Sequence, residues 1–358
     1  MLKRVVITTG GTGGHIFPAL AVAEKIREQN PDCKICFLGG ESGPEAALAR
    51  KAGLEFKGLP ARGVLGRGIR SLATVFWLSQ SLIKSFLFLR SFKPEVVIGF
   101  GGYAGFVPVL VARWMGLPTA VHEQNSLPGV TNRILGKRVD RVFLTFPDEH
   151  GFFPEDKVIL SGNPIRGEIV SLAAKETLSH AMGKRLLVLG GSQGARAINQ
   201  AVTDCLSQLK AQGIEIWHQT GKRDFEEVNK VYARKYPQAK VEPFIEDMAK
   251  AYAYADLVLC RSGATTLAEL CAAAKPAILV PFPYATHNHQ LTNAKVLERA
   301  GAAMVLVQSY LEEINLAQVI EDLLCAPDKL EKMARAARSL ARPNAAEIIV
   351  EELCRLVG

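Results

Sequence analysis

Cys260-Arg-Ser-Gly-Ala-Thr-Thr-Leu-Ala-Glu-Leu270 is the stretch from which the fold is read. It follows the run 255–259, which reads as a buried parallel strand. The chain then breaks at Ser262-Gly263 and opens into a helix. A strand, a small-residue turn and a helix N-terminus offer unpaired amides to a diphosphate. Thr265 and Thr266 add hydroxyls at that end, and Arg261 adds a fixed positive charge. Glu269 lies about a turn further on, where a carboxylate suits a ribose diol better than a phosphate. Cation, amides and carboxylate so close together suggest a grip for a nucleotide sugar. The same pattern also serves an ordinary strand–turn–helix crossover, and this stretch alone does not separate the two.

Outward from it, strand-like and helix-like runs alternate along all 358 residues. Runs 5–9, 34–38, 96–99, 119–122 and 142–145 read as buried strands, as do 186–189, 215–217, 257–260 and 278–281. Helical stretches include 19–29, 104–114, 197–209 and 291–300. The alternation predicts parallel sheets with helices on both faces. Arg4-Val-Val-Ile-Thr-Thr-Gly-Gly-Thr-Gly-Gly14 is echoed 180 residues later by Lys184-Arg-Leu-Leu-Val-Leu-Gly-Gly-Ser-Gln-Gly194. Two doubly wound, Rossmann-like α/β domains follow, with sites at the carboxyl ends of their strands. The boundary is expected near Ser161-Gly-Asn-Pro164, giving domains 1–161 and 162–342. Pro343 suits the first position of a final helix, 344–356.

The glycine loops exclude as much as they suggest. Gly10-Gly-Thr-Gly-Gly-His15 lacks the spacing of a dinucleotide fingerprint, and no P-loop motif occurs. A glycine turn before a helix still presents bare amides to an anion. Gly101-Gly-Tyr-Ala-Gly105 repeats the device in the first half, and Gly190-Gly-Ser-Gln-Gly194 supplies it in the second. Two such loops in one half suggest one phosphorylated ligand there. His15 stands at a helix start, where it could take a proton from an attacking hydroxyl or merely pack at the turn. His122-Glu-Gln-Asn125 ends another strand, a place where polar side chains more often line a cleft than fill a core. His287-Asn-His289 lacks a convincing third metal ligand, and no Asp-x-Asp clamp exists. A metal-free enzyme would have to neutralise a departing diphosphate with Arg261 and helix amides.

Charge is uneven. The net charge is +8, of which residues 1–161 carry +7 (20 Lys and Arg against 13 Asp and Glu). Within residues 57–94 there are seven basic residues (Lys57, Arg62, Arg67, Arg70, Lys84, Arg90 and Lys93) and no acid. The tract 72–92 is rich in aromatics, Phe76 and Trp77 among them, but Gln80, Lys84 and Arg90 make it a poor spanning helix. A basic, apolar helix of this kind fits an interfacial membrane contact. The alternative is a buried helix with snorkelling ends. The aromatics are embedded among aliphatics and no recognition fold accompanies them, which argues against nucleic acid. Seven cysteines without a pattern suggest a reducing compartment. Cys33-Lys-Ile-Cys36 runs into an apolar strand end and reads as core. The N-terminal apolar run is too short for a signal peptide, so the chain reads as cytoplasmic.

Taken together, Gly10-Gly-Thr-Gly-Gly-His15, Gly101-Gly-Tyr103, His122-Glu-Gln-Asn125, Gly162-Asn-Pro-Ile-Arg166, Gly190-Gly-Ser-Gln-Gly-Ala-Arg196, Phe244-Ile245 and Arg261-Ser-Gly263 with Glu269 resemble the MurG family. The motifs fall in family order over nearly the whole length. The resemblance implies a GT-B glycosyltransferase fold, with the final helix 343–358 crossing back onto the first domain. It implies inverting, metal-independent transfer of N-acetylglucosamine from UDP-N-acetylglucosamine to the 4-hydroxyl of the N-acetylmuramyl sugar of undecaprenyl-linked lipid I, giving lipid II, with no cofactor. On it, backbone at Ile245 would hold uracil with Arg166 nearby, and Glu269 the ribose. Ser192 and the turn Ala264, Thr265, Thr266, Leu267 and Ala268 would hold the diphosphate, which Arg261 stabilises. Gln290 and Asn125 would touch the sugar, with Thr12, Gly13 and Gly14 closing over it. Gly101, Gly102 and Tyr103 would face the acceptor. His15 is the first candidate base and Glu123 the second. Arg67, Arg70, Phe76, Trp77 and Lys84 would rest on the anionic cytoplasmic face of the inner membrane. Two departures stand out: Ala274-Lys275-Pro276 replaces a frequent Gly-x-Pro, and His289-Gln290 replaces a Gln pair found in some members. The rivals are a UDP-N-acetylglucosamine 2-epimerase on the same fold, which would not need the basic tract, and a non-catalytic membrane-docking protein, which would not need the cleft motifs.

Overall fold

The computed structural model describes the chain apart from residues 42, 61–71, 175–182 and 192–193, and only the backbone of 72–76 and 173–174. Arg67, Arg70 and Ser192, and the side chain of Phe76, therefore lie outside the described residues. The chain forms two compact units, Met1–Arg166 with Pro343–Gly358, and Gly167–Arg342.

In the first unit the strands are β1 (Arg4–Thr8), β2 (Lys34–Gly40), β3 (Glu55–Leu59), β4 (Val96–Gly99), β5 (Thr119–Glu123), β6 (Arg141–Leu144) and β7 (Val158–Ile159). They form a parallel sheet in the order β3-β2-β1-β4-β5-β6-β7. The helices are α1 (Gly13–Gln29), α2 (Glu45–Lys51), α3 (Leu72–Phe92), α4 (Tyr103–Trp114) and α5 (Val130–Gly136), with the C-terminal helix Ala345–Val357. Strand side chains alternate faces, so Val5 and Ile7 enter one core with Ile16, Val22 and Phe37, while Val6 enters the other with Val97, Val109 and Leu89. Apolar residues on both faces explain why β1 reads as an unbroken hydrophobic run. Ile349, Val350 and Leu353 of the C-terminal helix join the Val5 core.

In the second unit the strands are β8 (Arg185–Leu189), β9 (Glu215–Gln219), β10 (Lys240–Glu242), β11 (Leu257–Cys260), β12 (Ala277–Leu279) and β13 (Ala303–Val305). They are parallel, in the order β10-β9-β8-β11-β12-β13. The helices are α6 (Gly167–Ala174), α7 (Arg196–Asp204), α8 (Leu206–Ala211), α9 (Phe225–Lys235), α10 (Met248–Tyr254), α11 (Ala264–Ala272), α12 (His289–Arg299), α13 (Leu316–Leu324) and α14 (Pro327–Ser339). Asp256 accepts a two-pronged grip from the Arg185 guanidinium, at 2.8 and 2.9 Å, and a bond from the Arg185 amide at 3.0 Å. This pins the start of β11 to that of β8.

Several expectations are corrected. The first unit runs on to Arg166 rather than ending at 161, because Gly162 N–H donates to Leu144 O at 3.0 Å and Ser161, Asn163 and Ile165 are buried. The single helix expected over 197–209 is two, broken at Cys205, whose dihedrals (φ −95°, ψ 8°) leave the helical region. Pro343 does not take the first position of the final helix: that helix starts at Ala345 with Asn344 as its cap, so Pro343 precedes the cap. Strands β3 and β10 are edge strands that carry Glu55, Lys57, Lys240 and Glu242, charges that mask a strand signal. Cys33 and Cys36 are buried, and burial pushes their thiols up to about 11 and about 12.

Candidate active site

In each sheet the order of winding reverses once, and open α/β sheets bind ligands beyond the strand ends at that point. In the first unit the reversal lies between β1 and β4, whose exits are the loops at Gly10–Gly14 and Gly101–Gly105. In the second it lies between β8 and β11, whose exits are Gly190–Gly194 and Arg261–Gly263.

Contact between the two loops of the first unit depends on glycine. Gly101 and Gly102 have φ of 93° and 77°. A Cβ on Gly102 would stand 2.4 Å from Gly10 O, and one on Gly101 would stand 3.1 Å from His15 Nδ1. Thr12 caps α1 in an extended conformation without spending its hydroxyl on the cap. Tyr103 opens α4 and is 39% exposed. One loop amide is not bare: Gly11 N–H donates to Glu45 Oε1 at 2.7 Å, from a buried carboxylate at the start of α2.

His15 lies in the first turn of α1, half-buried, with Nδ1 2.9 Å from Gln124 Oε1. Gln124 is buried, and its amide nitrogen donates to Phe100 O at 3.1 Å and to His122 Nδ1 at 3.0 Å. His122 Nε2 meets Gly162 O at 3.0 Å, and burial lowers the ring's pKa to about 4, so it stays neutral. Glu123 is occupied on both oxygens. Oε1 accepts from the Asn125 amide and side chain at 2.9 and 3.2 Å, and Oε2 from Gly129 N–H and Asn132 Nδ2 at 3.0 and 2.9 Å. Arg166 ends the unit with its guanidinium 5.7 Å from the centre of the Phe17 ring.

In the second unit Gly263 caps α11, and Leu267 N–H is already bonded to Gly263 O at 3.0 Å with its side chain in the core. The first-turn residues Ala264, Thr265 and Thr266 precede that bond, whereas Leu267 and Ala268 lie within the hydrogen-bonded helix. Glu269 is 5% exposed and its Oε2 accepts from the Tyr252 hydroxyl at 3.0 Å. Arg261 is braced by Val280 O and Pro281 O at 3.0 and 3.2 Å and by Gln308 Oε1 at 2.7 Å. Burial lowers its pKa to about 10, which leaves it cationic at neutral pH. Gln290 accepts from Phe282 N–H at 3.0 Å through its side chain and from Ser262 Oγ at 2.8 Å through its backbone carbonyl. Gln290 therefore ties α12 to the turn that holds Arg261. Ile245 is buried, with its N–H given to Gln219 Oε1 at 2.9 Å.

The structure adds residues that the sequence reading passed over. Gln124 appeared inside a motif without a role. Gln219 ends β9 and joins Ile245 to the glycine loop through Gly191 O at 3.2 Å. Both stand at or just past the carboxyl end of a buried strand, the signal that could have found them. Glu45 and Tyr252 sit on helices, and nothing local points to them. Lys84 pairs with Glu41 at 3.1 Å, so the acid-free tract is not free of acid in three dimensions. His289 Nδ1 meets Thr286 O at 2.7 Å, at the start of α12.

Residues 5–144 match the glycosyltransferase family 28 N-terminal domain, and residues 185–349 match its C-terminal domain. The UDP-N-acetylglucosamine--N-acetylmuramyl-(pentapeptide) pyrophosphoryl-undecaprenol N-acetylglucosamine transferase of Nitratidesulfovibrio vulgaris (strain DP4) is 51% identical over 360 residues, covering 99% of this chain and 98% of its own. The crystal structure of Acinetobacter baumannii MurG is 34% identical, covers 99% of both chains and has a TM-score of 0.78. A UDP-GlcNAc 2-epimerase from Neisseria meningitidis has a TM-score of 0.68 over 98% of this chain at 16% identity, a likeness of fold alone. With both halves matched and a relative half identical end to end, this chain belongs to the MurG family of GT-B glycosyltransferases.

Proposed function

We propose that this protein transfers N-acetylglucosamine from UDP-N-acetylglucosamine to the 4-hydroxyl of the N-acetylmuramyl sugar of lipid I, producing lipid II for peptidoglycan. The observation that carries it is the 51% identity over 99% of the chain to a transferase of that name. The epimerase alternative rests on a fold shared at 16% identity.

The chemistry follows from the residues. The acceptor hydroxyl attacks the anomeric carbon of the α-linked donor, the bond to the diphosphate breaks, and a β-linkage results. His15 takes the hydroxyl proton. Glu123 is the weaker base candidate, because all four of its hydrogen bonds come from donors that order the 125–132 segment. Arg261 and the α11 first-turn amides, with Ser192, offset the charge on the departing UDP without a metal. Arg261 is already aimed by three acceptors, so little reorganisation is needed. Glu269 holds the ribose, backbone at Ile245 and Arg166 the uracil, and Gln290, Asn125, Thr12, Gly13 and Gly14 contact the sugar. Gly101, Gly102 and Tyr103 receive the acceptor.

The membrane reading gains support from α3. Its inward positions include Ser81 and Ser85, while Ile83, Phe86 and Leu87 are 59%, 42% and 59% exposed. A helix that buries serines and shows bulky apolar residues is prepared for an apolar partner surface. With Trp77, Lys84, Arg67 and Arg70, it would rest peripherally on the anionic cytoplasmic face of the membrane. Among the described residues no helix is long and apolar enough to cross one.

The test is transfer of label from UDP-N-acetylglucosamine to a short-chain lipid I analogue under excess chelator. Transfer is expected. Release or epimerisation of the sugar without transfer would favour the epimerase reading.

A further inference from the structure

We propose that Gln124 sets the tautomer of His15, holding its proton on Nδ1 so that Nε2 keeps the bare lone pair. Its catalytic meaning rests on the reading of His15 as the base; the tautomer itself does not.

The argument begins at two groups with no choice of role. Phe100 O and Gly162 O can only accept. His122 Nε2, 3.0 Å from Gly162 O, must therefore carry a hydrogen. Burial keeps that ring neutral, so His122 Nδ1 is a lone pair and needs a donor. The Gln124 atom that lies 3.0 Å from it also lies 3.1 Å from Phe100 O. Only the amide NH2 satisfies both. The other end of Gln124 is then the carbonyl, and it lies 2.9 Å from His15 Nδ1. A carbonyl accepts and does not donate, so His15 Nδ1 donates. A neutral imidazole with its proton on one nitrogen has its lone pair on the other.

Two buried residues thus transmit a choice from the backbone at 162 and 100 to the ring of His15. His122 and Gln124 are 0% and 2% exposed, so water does not compete for these bonds. Gly101 closes in on the ring, where a Cβ would stand 3.1 Å from both Nδ1 and Cε1. In the transfer step, Nε2 receives the proton as the acceptor O–H bond breaks and the new C–O bond forms, and the diphosphate leaves with its bonding pair. Nδ1–H stays on the Gln124 carbonyl, whose dipole faces the new imidazolium favourably. Gln124 is a positioning residue: it acts on substrate only through His15.

Long-range proton–nitrogen correlation of the imidazoles, on the full-length protein labelled at histidine and near neutral pH, reads the tautomers directly. His15 is expected with protonated Nδ1 and bare Nε2, and His122 with the reverse. Wild-type His15 protonated on Nε2 overturns the proposal without any variant. In Gln124→Met, His15 should shift towards the Nε2-protonated form, kcat should fall about 100-fold, and KM for the donor nucleotide should change little. An unchanged His15 tautomer in that variant also overturns the proposal. Full transfer by His15→Gln would instead remove the base reading, and with it the catalytic consequence, while the spectrum still decides the tautomer.

Discussion

Glu269 is the residue proposed to hold the donor ribose. Its carboxylate is oriented by the Tyr252 hydroxyl, which donates to Oε2 at 3.0 Å. Glu269→Ala should weaken donor binding about 10- to 100-fold, the range for a hydrogen bond to a charged group. Unchanged affinity in a calorimetric titration would end the ribose assignment. Tyr252→Phe should have a smaller effect, because it removes the orienting bond and not the carboxylate. Ala274 is the residue-scale counterpart in stability. It stands in the left-handed region at φ 50°, where Gly-x-Pro is frequent in the family. A Cβ there costs free energy that glycine avoids. Ala274→Gly should stabilise the chain by about 0.5–1 kcal/mol, against the greater freedom that glycine has when unfolded. A lower Tm in that variant would contradict the strain.

Two helices carry the predictions that belong to elements. The C-terminal helix Ala345–Val357 returns to the first unit through Ile349, Val350 and Leu353, all essentially buried. Leu353→Ala should cost about 2–5 kcal/mol by urea unfolding, from lost burial plus the cavity. A cost under 1 kcal/mol would mean that the helix adds little to that core. Helix α3 behaves in the opposite way on its outer face. Replacing Ile83 and Leu87 with serine should leave Tm nearly unchanged, since both side chains are 59% exposed. It should weaken binding to anionic vesicles in a flotation assay. A large drop in Tm with vesicle binding intact would make this face structural.

At the scale of the whole molecule, each unit buries a neutral histidine among its described residues. Burial lowers His122 to about 4 and His218 to about 3, against the usual 6.5. Between those values the unfolded chain binds more protons than the folded one, so stability rises with pH. The contribution is present above about 6.5 and is lost as pH falls towards 4 and then 3. Tm should therefore drop steadily on acidification below about pH 6.5. His218→Gln should flatten that slope, provided the glutamine keeps a bond to Asn199 or Tyr232, which His218 now contacts at 3.1 and 2.9 Å. An equally steep slope in the variant would assign the acid sensitivity to other groups.

What was legible in the sequence is what depends on local pattern. Buried parallel strands are apolar on both faces, so β1, β4, β8 and β11 stand out as short hydrophobic runs, and glycines mark their exits. Tract 72–92 coincides with α3 because its composition bars both a loop and a spanning segment. The echo at 180 residues exposed the repeated architecture. The glycine loops, Arg261, Glu269 and His15 were legible because their chemistry lies beside those strand ends. What only the tertiary structure decided depends on partners distant in the chain. The donors that meet the second oxygen of Glu123, on Gly129 and Asn132, were known only once the fold placed them there. Lys84 lies in a tract without acid, and its partner Glu41 is brought to it only by the fold. Gln124 acquired a role only when Phe100, His122 and His15 were placed around its two ends. A residue type states which bonds it can make; which of them it does make is set by groups that folding brings from elsewhere in the chain.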